Sequence, residues 1–321
     1  MSRIYEALQK AEMEREQTPL PPPEAMEQPM LPSAVVDFDD SAAAEPVEGR
    51  FTRLVPEEAF VESDDLPVEK AVPAFETITP HPWNLSATKL PSLLDRGPAV
   101  EQFRSLRSRL YEVRATRPIK SVLISSGLPQ EGKSFISTNL AISFARHRNS
   151  RVLLIDGDMR RYTVHEMLGT TPSPGLADYL AGKATVEEIL QRGELPAAGE
   201  GLPSGRIVLG NLAFIPGGNG GDKAADLSGS PRFPELLAAV GPMFDWIIVD
   251  SSPVIPVSDA VNLARSCDGV MLVARGGVTK YPTAQRAATE MRSVNLLGFV
   301  LNAVLKAPHV GHYYGYDSGT A

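Results

Sequence analysis

The chain has a single cysteine, Cys267, among 321 residues. That excludes an internal disulfide framework and fits a reducing compartment. No apolar run approaches the ~18 residues of a membrane-spanning helix, and the N-terminus lacks the basic-then-apolar pattern of a secretory leader. The expected location is therefore cytoplasmic, with any membrane association supplied by a partner. An excess of positive charge is also lacking. The formal net charge is −8, which argues against a nucleic-acid binder built on a basic surface.

What is present is unevenly spread. Residues 18–80 carry 14 acidic side chains against three basic ones, and 11 of the chain's 28 prolines. Prolines remove backbone donors, and like charges repel and extend the chain. A disordered acidic linker over 18–84 is expected. Before it, residues 1–17 read as a short amphipathic helix, with Ser2 as cap and Ile4, Leu8 and Ala11 on one face. Such a helix is marginal alone, so it either frays or docks. The remainder, 81–321, has a net charge of about +4 by the same count of side chains.

From about residue 85 short apolar runs alternate with helical patterns. Strands are expected at 121–126, 151–155, 212–216, 246–250, 269–274 and 297–304. Helices are expected at 133–147, 163–168, 176–190, 233–240, 258–266 and 282–294. The stretch 193–222 reads as a loop around one strand. This alternation implies an α/β domain over 85–308, with a mostly parallel sheet covered by helices on both faces. Ligands of such sheets bind at the carboxyl ends of the strands.

The sharpest motif falls there. Gly127-Leu-Pro-Gln-Glu-Gly132-Lys133-Ser134 fits GxxxxGK[ST], after a strand and at a helix start. Glycines let backbone N–H groups curl around phosphate, and the helix N-terminus favours its charge. Gly127, Glu131, Gly132, Lys133, Ser134 and Phe135 form the expected nucleotide-binding set, with Lys133 on phosphate and Ser134 on Mg²⁺. Two further strands end in carboxylates. Leu153-Leu154-Ile155-Asp156-Gly157-Asp158-Met159-Arg160 carries two, and Ile247-Ile248-Val249-Asp250 a third. A carboxylate at a buried strand end is costly unless it meets a metal or cation. Arg160 can serve a carboxylate or a phosphate, and Asn302, ending the last strand, could reach an adenine. Cys267 precedes a buried strand and reads as packing.

These motifs, in this order, resemble the bacterial tyrosine kinases of capsule and exopolysaccharide synthesis (CpsD/CapB-like), a branch of the P-loop NTPases. The resemblance covers about residues 85–316 and extends to Gly175-Leu-Ala-Asp-Tyr-Leu-Ala-Gly-Lys183. It implies an ATP- and Mg²⁺-dependent protein-tyrosine autokinase, with Lys133, Asp156, Asp158 and Asp250 as catalytic residues. Ser134, Asp158 and Asp250 would organise the metal, and Asp156 would be the base toward a tyrosine hydroxyl. Tyr313, Tyr314 and Tyr316, in a flexible tail over 309–321, would be the sites phosphorylated between neighbouring subunits. Glu101-Gln-Phe-Arg104-Ser-Leu-Arg107 matches a family motif for contacts in a homo-oligomeric ring. The resemblance further implies a membrane-embedded polysaccharide co-polymerase as activator and a cognate tyrosine phosphatase. The alternative is a regulatory ATPase of the MinD/ParA kind, but those carry a second lysine where this chain has Leu128. After Asp250 the chain has Ser251-Ser252-Pro253, where Thr-Pro-Pro is commoner in the family.

Overall fold

The computed structural model describes residues 75–86, 88–147, 150–194 and 209–304. The helix expected over 1–17, most of the linker, and the tail with Tyr313, Tyr314 and Tyr316 lie outside the described residues.

The strands are β1 (Pro80–Pro82), β2 (Ser121–Ser126), β3 (Val152–Asp156), β4 (Gln191–Glu194), β5 (Leu212–Ile215), β6 (Trp246–Asp250), β7 (Gly269–Arg275) and β8 (Leu296–Asn302). They form one sheet in the order β1-β4-β5-β3-β6-β2-β7-β8. Neighbours run parallel except the β4–β5 pair. The helices are α1 (Pro98–Thr116), α2 (Lys133–Ala145), α3 (Val164–Leu168), α4 (Leu176–Leu180), α5 (Val186–Ile189), α6 (Ala224–Ser228), α7 (Arg232–Val240), α8 (Asp259–Ala264) and α9 (Tyr281–Glu290).

The central strands are buried along their whole length because both sheet faces are covered. Alternate residues feed two cores. Val152, Leu154, Trp246 and Ile248 pack with Phe103, Leu110, Leu140 and Phe144 from α1 and α2. Leu153, Ile155, Ile247 and Val249 pack with Leu180, Phe233, Leu236, Leu263 and Ala287 on the opposite face. The β3–β6 register sets Asp156 directly beside Asp250. Both carboxylates, like the loop after β2, therefore stand at the carboxyl edge of the sheet.

The domain starts earlier than the boundary at residue 84 expected from composition. Phe75, Ile78 and Trp83 are buried, and β1 pairs with β4 inside what reads as linker. The Trp83 ring meets Phe214 edge-on at 6.4 Å between centroids. It also lies flat against Gly193, where a Cβ would come within 2.6 Å of the indole. The single helix expected over 176–190 is two helices. Gly182 at φ +73° turns the chain out of α4. Thr185 then caps α5 by accepting the Glu188 N–H, while the Glu188 carboxylate accepts the Thr185 N–H. The strand expected at 297–304 ends at Asn302, and the helix expected to 294 ends at Glu290.

Candidate active site

The loop after β2 is built around positions that only particular backbones tolerate. Gly132 has φ +96°, and a Cβ there would sit 2.0 Å from the Asn302 Nδ2. Glycine is required on both counts. The loop is pinned by its own side chains. Ser126 Oγ donates to the Leu128 carbonyl at 2.7 Å, and the Leu128 N–H donates to Glu131 Oε2 at 2.8 Å. The Thr279 hydroxyl donates to Glu131 Oε1, and Asn302 Nδ2 donates to the Glu131 carbonyl at 3.0 Å. Glu131 is thus the loop's internal anchor, its carboxylate spent on loop and connector. The Asn302 amide thus supports the loop through Nδ2, while its Oδ1 accepts the Ala303 N–H at 2.8 Å. Thr279 carries no local motif and is not singled out by the sequence, whereas Asn302 stands out there only as the end of the last strand.

The loop opens α2, so Lys133 and Ser134 stand at a helix N-terminus whose first N–H groups have no intrahelical partner. Lys133 is buried, with its Nζ 3.4 Å from Asp158 Oδ2. The other Asp158 oxygen accepts the Arg161 N–H at 3.1 Å. Phe135 turns back to the core and meets the Phe103 ring at 5.8 Å. Asp156 is 0% exposed, and its two oxygens accept the Asp158 and Val164 N–H groups at 3.2 Å each. Burial raises its pKa well above the ordinary range, and Asp250 and Asp158 push the same way against the Val164 and Asp158 N–H bonds. Burial also raises Asp250, to about 6, with Lys133 and the Ser134 and Ser137 hydroxyls opposing. Yet neither Asp250 oxygen makes a hydrogen bond of good geometry, and the buried Ser252 hydroxyl is also without a partner. Gly157 lets β3 and β6 close at this end, its N–H donating to the Asp250 carbonyl at 2.8 Å where a Cβ would come within 2.6 Å of that oxygen.

These groups border one cleft of about 420 Å³, lined by Gly132, Lys133, Ser134, Asp158, Arg161 and Ser252 among others. Asp156 and Asp250 lie beneath it. Arg160 lines the cleft, but its guanidinium is held by the buried Asp259, Nε to Oδ2 at 2.7 Å, so its partner is a carboxylate. Glu101, Arg104 and Arg107 are elsewhere, on α1. There Arg104 pairs with Glu101 at 2.5 Å, and Arg107 donates to the Ser143 carbonyl of α2 at 2.6 Å.

No family model matches the chain. Curated relatives do. It is 30% identical over 220 residues to the tyrosine-protein kinase wzc of Salmonella typhimurium, covering 68% of this chain and 28% of that protein. It is 32% identical over 218 residues to the tyrosine-protein kinase YwqD of Bacillus subtilis, covering 67% of this chain and 86% of the relative. The chain belongs to the bacterial tyrosine-protein kinase family. Among solved structures, the kinase domain of the Escherichia coli tyrosine kinase ETK superposes with a TM-score of 0.58 at 30% identity, over 68% of this chain and 80% of that one. The BceF tyrosine kinase domain gives 0.53 at 30% identity, over 63% and 76%. The fold is therefore the P-loop α/β fold of this kinase family. The match spans little more than a quarter of the Salmonella protein. Ser252 brings a hydroxyl into the cleft wall.

Proposed function

We propose that the chain is an ATP-dependent protein-tyrosine kinase. The observation that carries this reading is the convergence of Lys133 and Asp158 in one cleft, directly over the buried Asp156–Asp250 pair. The donor set fits a Mg²⁺ ion. The unpartnered Asp250 oxygens, the Ser134 hydroxyl at the helix start and Asp158 are hard oxygen ligands. Among the described residues no three His, Cys, Asp or Glu side chains form a self-contained metal cage. None is needed by an ion that arrives with phosphate and keeps several waters. When bound, Mg²⁺ would neutralise charge on the phosphates.

The protein's own residues do the positioning. The loop amides around Gly132 and the start of α2 cradle the phosphates, and Lys133 draws the terminal ones toward the cleft. Asp156 accepts the proton of the incoming tyrosine hydroxyl, a task suited to a carboxylate of raised pKa. Its oxygens are covered by the amides of the segment 158–164, so that segment must yield when substrate enters.

Tyr313, Tyr314 and Tyr316 are the proposed acceptors, offered by one subunit to the cleft of the next in a homo-oligomeric ring in which Glu101, Arg104 and Arg107 take part. Among the described residues no helix is long and apolar enough to cross a membrane. Peripheral attachment at the inner face of the plasma membrane, through a polysaccharide co-polymerase that acts as activator, completes the reading. Phosphorylation, reversed by a cognate tyrosine phosphatase, would regulate capsular or exopolysaccharide polymerisation and export.

The test is to incubate the full chain with Mg-ATP and map phosphotyrosine by mass spectrometry. A tagged Lys133→Ala chain is mixed in as acceptor. Phosphate on Tyr313, Tyr314 or Tyr316 of the inactive chain is expected, and none when Lys133→Ala is incubated alone. ATP hydrolysis without phosphotyrosine would establish the regulatory-ATPase reading instead.

A further inference from the structure

A second concave site lies away from the nucleotide cleft, where α1 packs on α2. It is a cleft of about 300 Å³ lined by Ser92, Arg104, Arg107, Ser143, Arg146 and His147, with Val100. Three of the lining residues are arginines, and none is acidic. The nearest carboxylates sit outside it. Glu101 holds Arg104, and Asp95 holds Arg146, each at 2.5 Å. Arg107 has no carboxylate partner among these ion pairs. Of its five N–H groups, one donates to the Ser143 carbonyl. Its pKa is lowered by burial and by Arg104, against Tyr111 and Glu101. At the same cleft the Ser92 hydroxyl is buried, with the residue 3% exposed, and has no hydrogen-bond partner. The Ser92 backbone, by contrast, is fully engaged. Its N–H donates to Asn139 Oδ1 at 3.0 Å, and its carbonyl accepts Arg146 at 2.7 Å.

A half-buried guanidinium whose neighbouring carboxylate, Glu101, is taken by Arg104, and a buried hydroxyl without a partner, are both costly alone. One ligand meets both needs: an oxyanion with several acceptor oxygens. Arginine forks suit planar or tetrahedral oxyanions through two parallel N–H bonds. The backbone carbonyls already held by Arg104, Arg107 and Arg146 keep the guanidiniums in place before a ligand arrives, which lowers the ordering cost of binding.

We propose that this cleft is a phosphate-binding site, distinct from the ATP cleft, that takes a phosphate dianion either free or as a monoester through Arg107, Arg104 and the Ser92 hydroxyl. The kinase reading would supply one monoester source, phosphotyrosine, but the site stands on its own geometry. The ATP cleft also binds phosphate, so the test is made on the full-length Lys133→Ala chain. Inorganic phosphate and, separately, O-phosphotyrosine are titrated while arginine Nε and backbone amide resonances are followed by NMR.

Shifts are expected at Arg104, Arg107 and Ser92, saturating with concentration. Arg107→Gln should weaken binding roughly tenfold or more, the loss of a charge-assisted pair. Arg107→Lys, which keeps the charge and guards against misfolding as the cause, should retain part of it, and Ser92→Ala should weaken it a few-fold. Tighter binding of phosphotyrosine than of phosphate would assign the monoester, and equal binding would assign free phosphate. No saturable shift with either ligand would overturn the proposal, as would unchanged affinity in Arg107→Gln.

Discussion

Replacing Asp250 by Asn should stabilise the nucleotide-free protein while disabling it. Asp250 is buried beside Asp156, and its pKa is raised from 3.8 to about 6. A rise of that size disfavours the charged form in the folded protein by about 3 kcal/mol. The sign follows from proton binding. The native state holds this proton more tightly than the unfolded chain does, so Asp250 carries no penalty below about pH 4. Between pH 4 and about 6 the unfolded chain releases the proton first, and stability falls as pH rises. Above that range the full penalty persists. Asn keeps the shape without the charge, and removing the Asp250 charge also relieves Asp156, because Asp250 helps raise its pKa. The pair titrates together, so the effect belongs to both. Urea melts of wild type and Asp250→Asn, without nucleotide, at pH 4, 5, 6 and 7.5 measure it. The variant should match wild type at pH 4 and exceed it by about 3 kcal/mol at pH 7.5. For a domain of this size that is about 6–12 °C in Tm. Mg-ADP should then stabilise wild type more than the variant. A variant no more stable than wild type at pH 7.5 would refute the reasoning.

Other outcomes follow from the same geometry. Gly132→Ala forces a Cβ into Asn302 at a positive φ, which should strain the loop by roughly 1–3 kcal/mol and show as weaker nucleotide binding in a titration. Thr279→Val leaves a Glu131 oxygen without its donor, which should cost about 1–3 kcal/mol and raise the KM for ATP before it lowers kcat. Trp83→Ala empties a buried site against Phe214 and Gly193. It should cost about 3–5 kcal/mol in a urea melt, although Trp83 falls in what composition reads as linker.

The parts of this molecule that are legible in its sequence share one property: their signal is local. Gly132, Lys133 and Ser134 sit in one short string, and Asp156 and Asp250 each end an apolar run that the sheet buries. The first residues of the domain are hidden because Phe75, Ile78 and Trp83 are sparse anchors among prolines and acidic residues, and composition averages them away. β4 is hidden because Gln191, Arg192, Gly193 and Glu194 are polar, a pattern that reads as loop until Trp83 covers it. The loop's supports are hidden by distance along the chain. Thr279 and Asn302 reach Glu131 across 148 and 171 residues, and no periodicity links positions so far apart. Arg160 is ambiguous in sequence because its partner, Asp259, is 99 residues away.

The central claim is that the cleft over Asp156 and Asp250 passes phosphate to tyrosine rather than to water. Partition of the γ-phosphoryl group tests it most directly. With γ-labelled Mg-ATP and the full chain, phosphotyrosine and released phosphate are counted over the first turnover. The account predicts that label appears on tyrosine, and that Lys133→Ala and Asp156→Asn abolish it. Label recovered wholly as inorganic phosphate, with active hydrolysis and no phosphotyrosine, would contradict it.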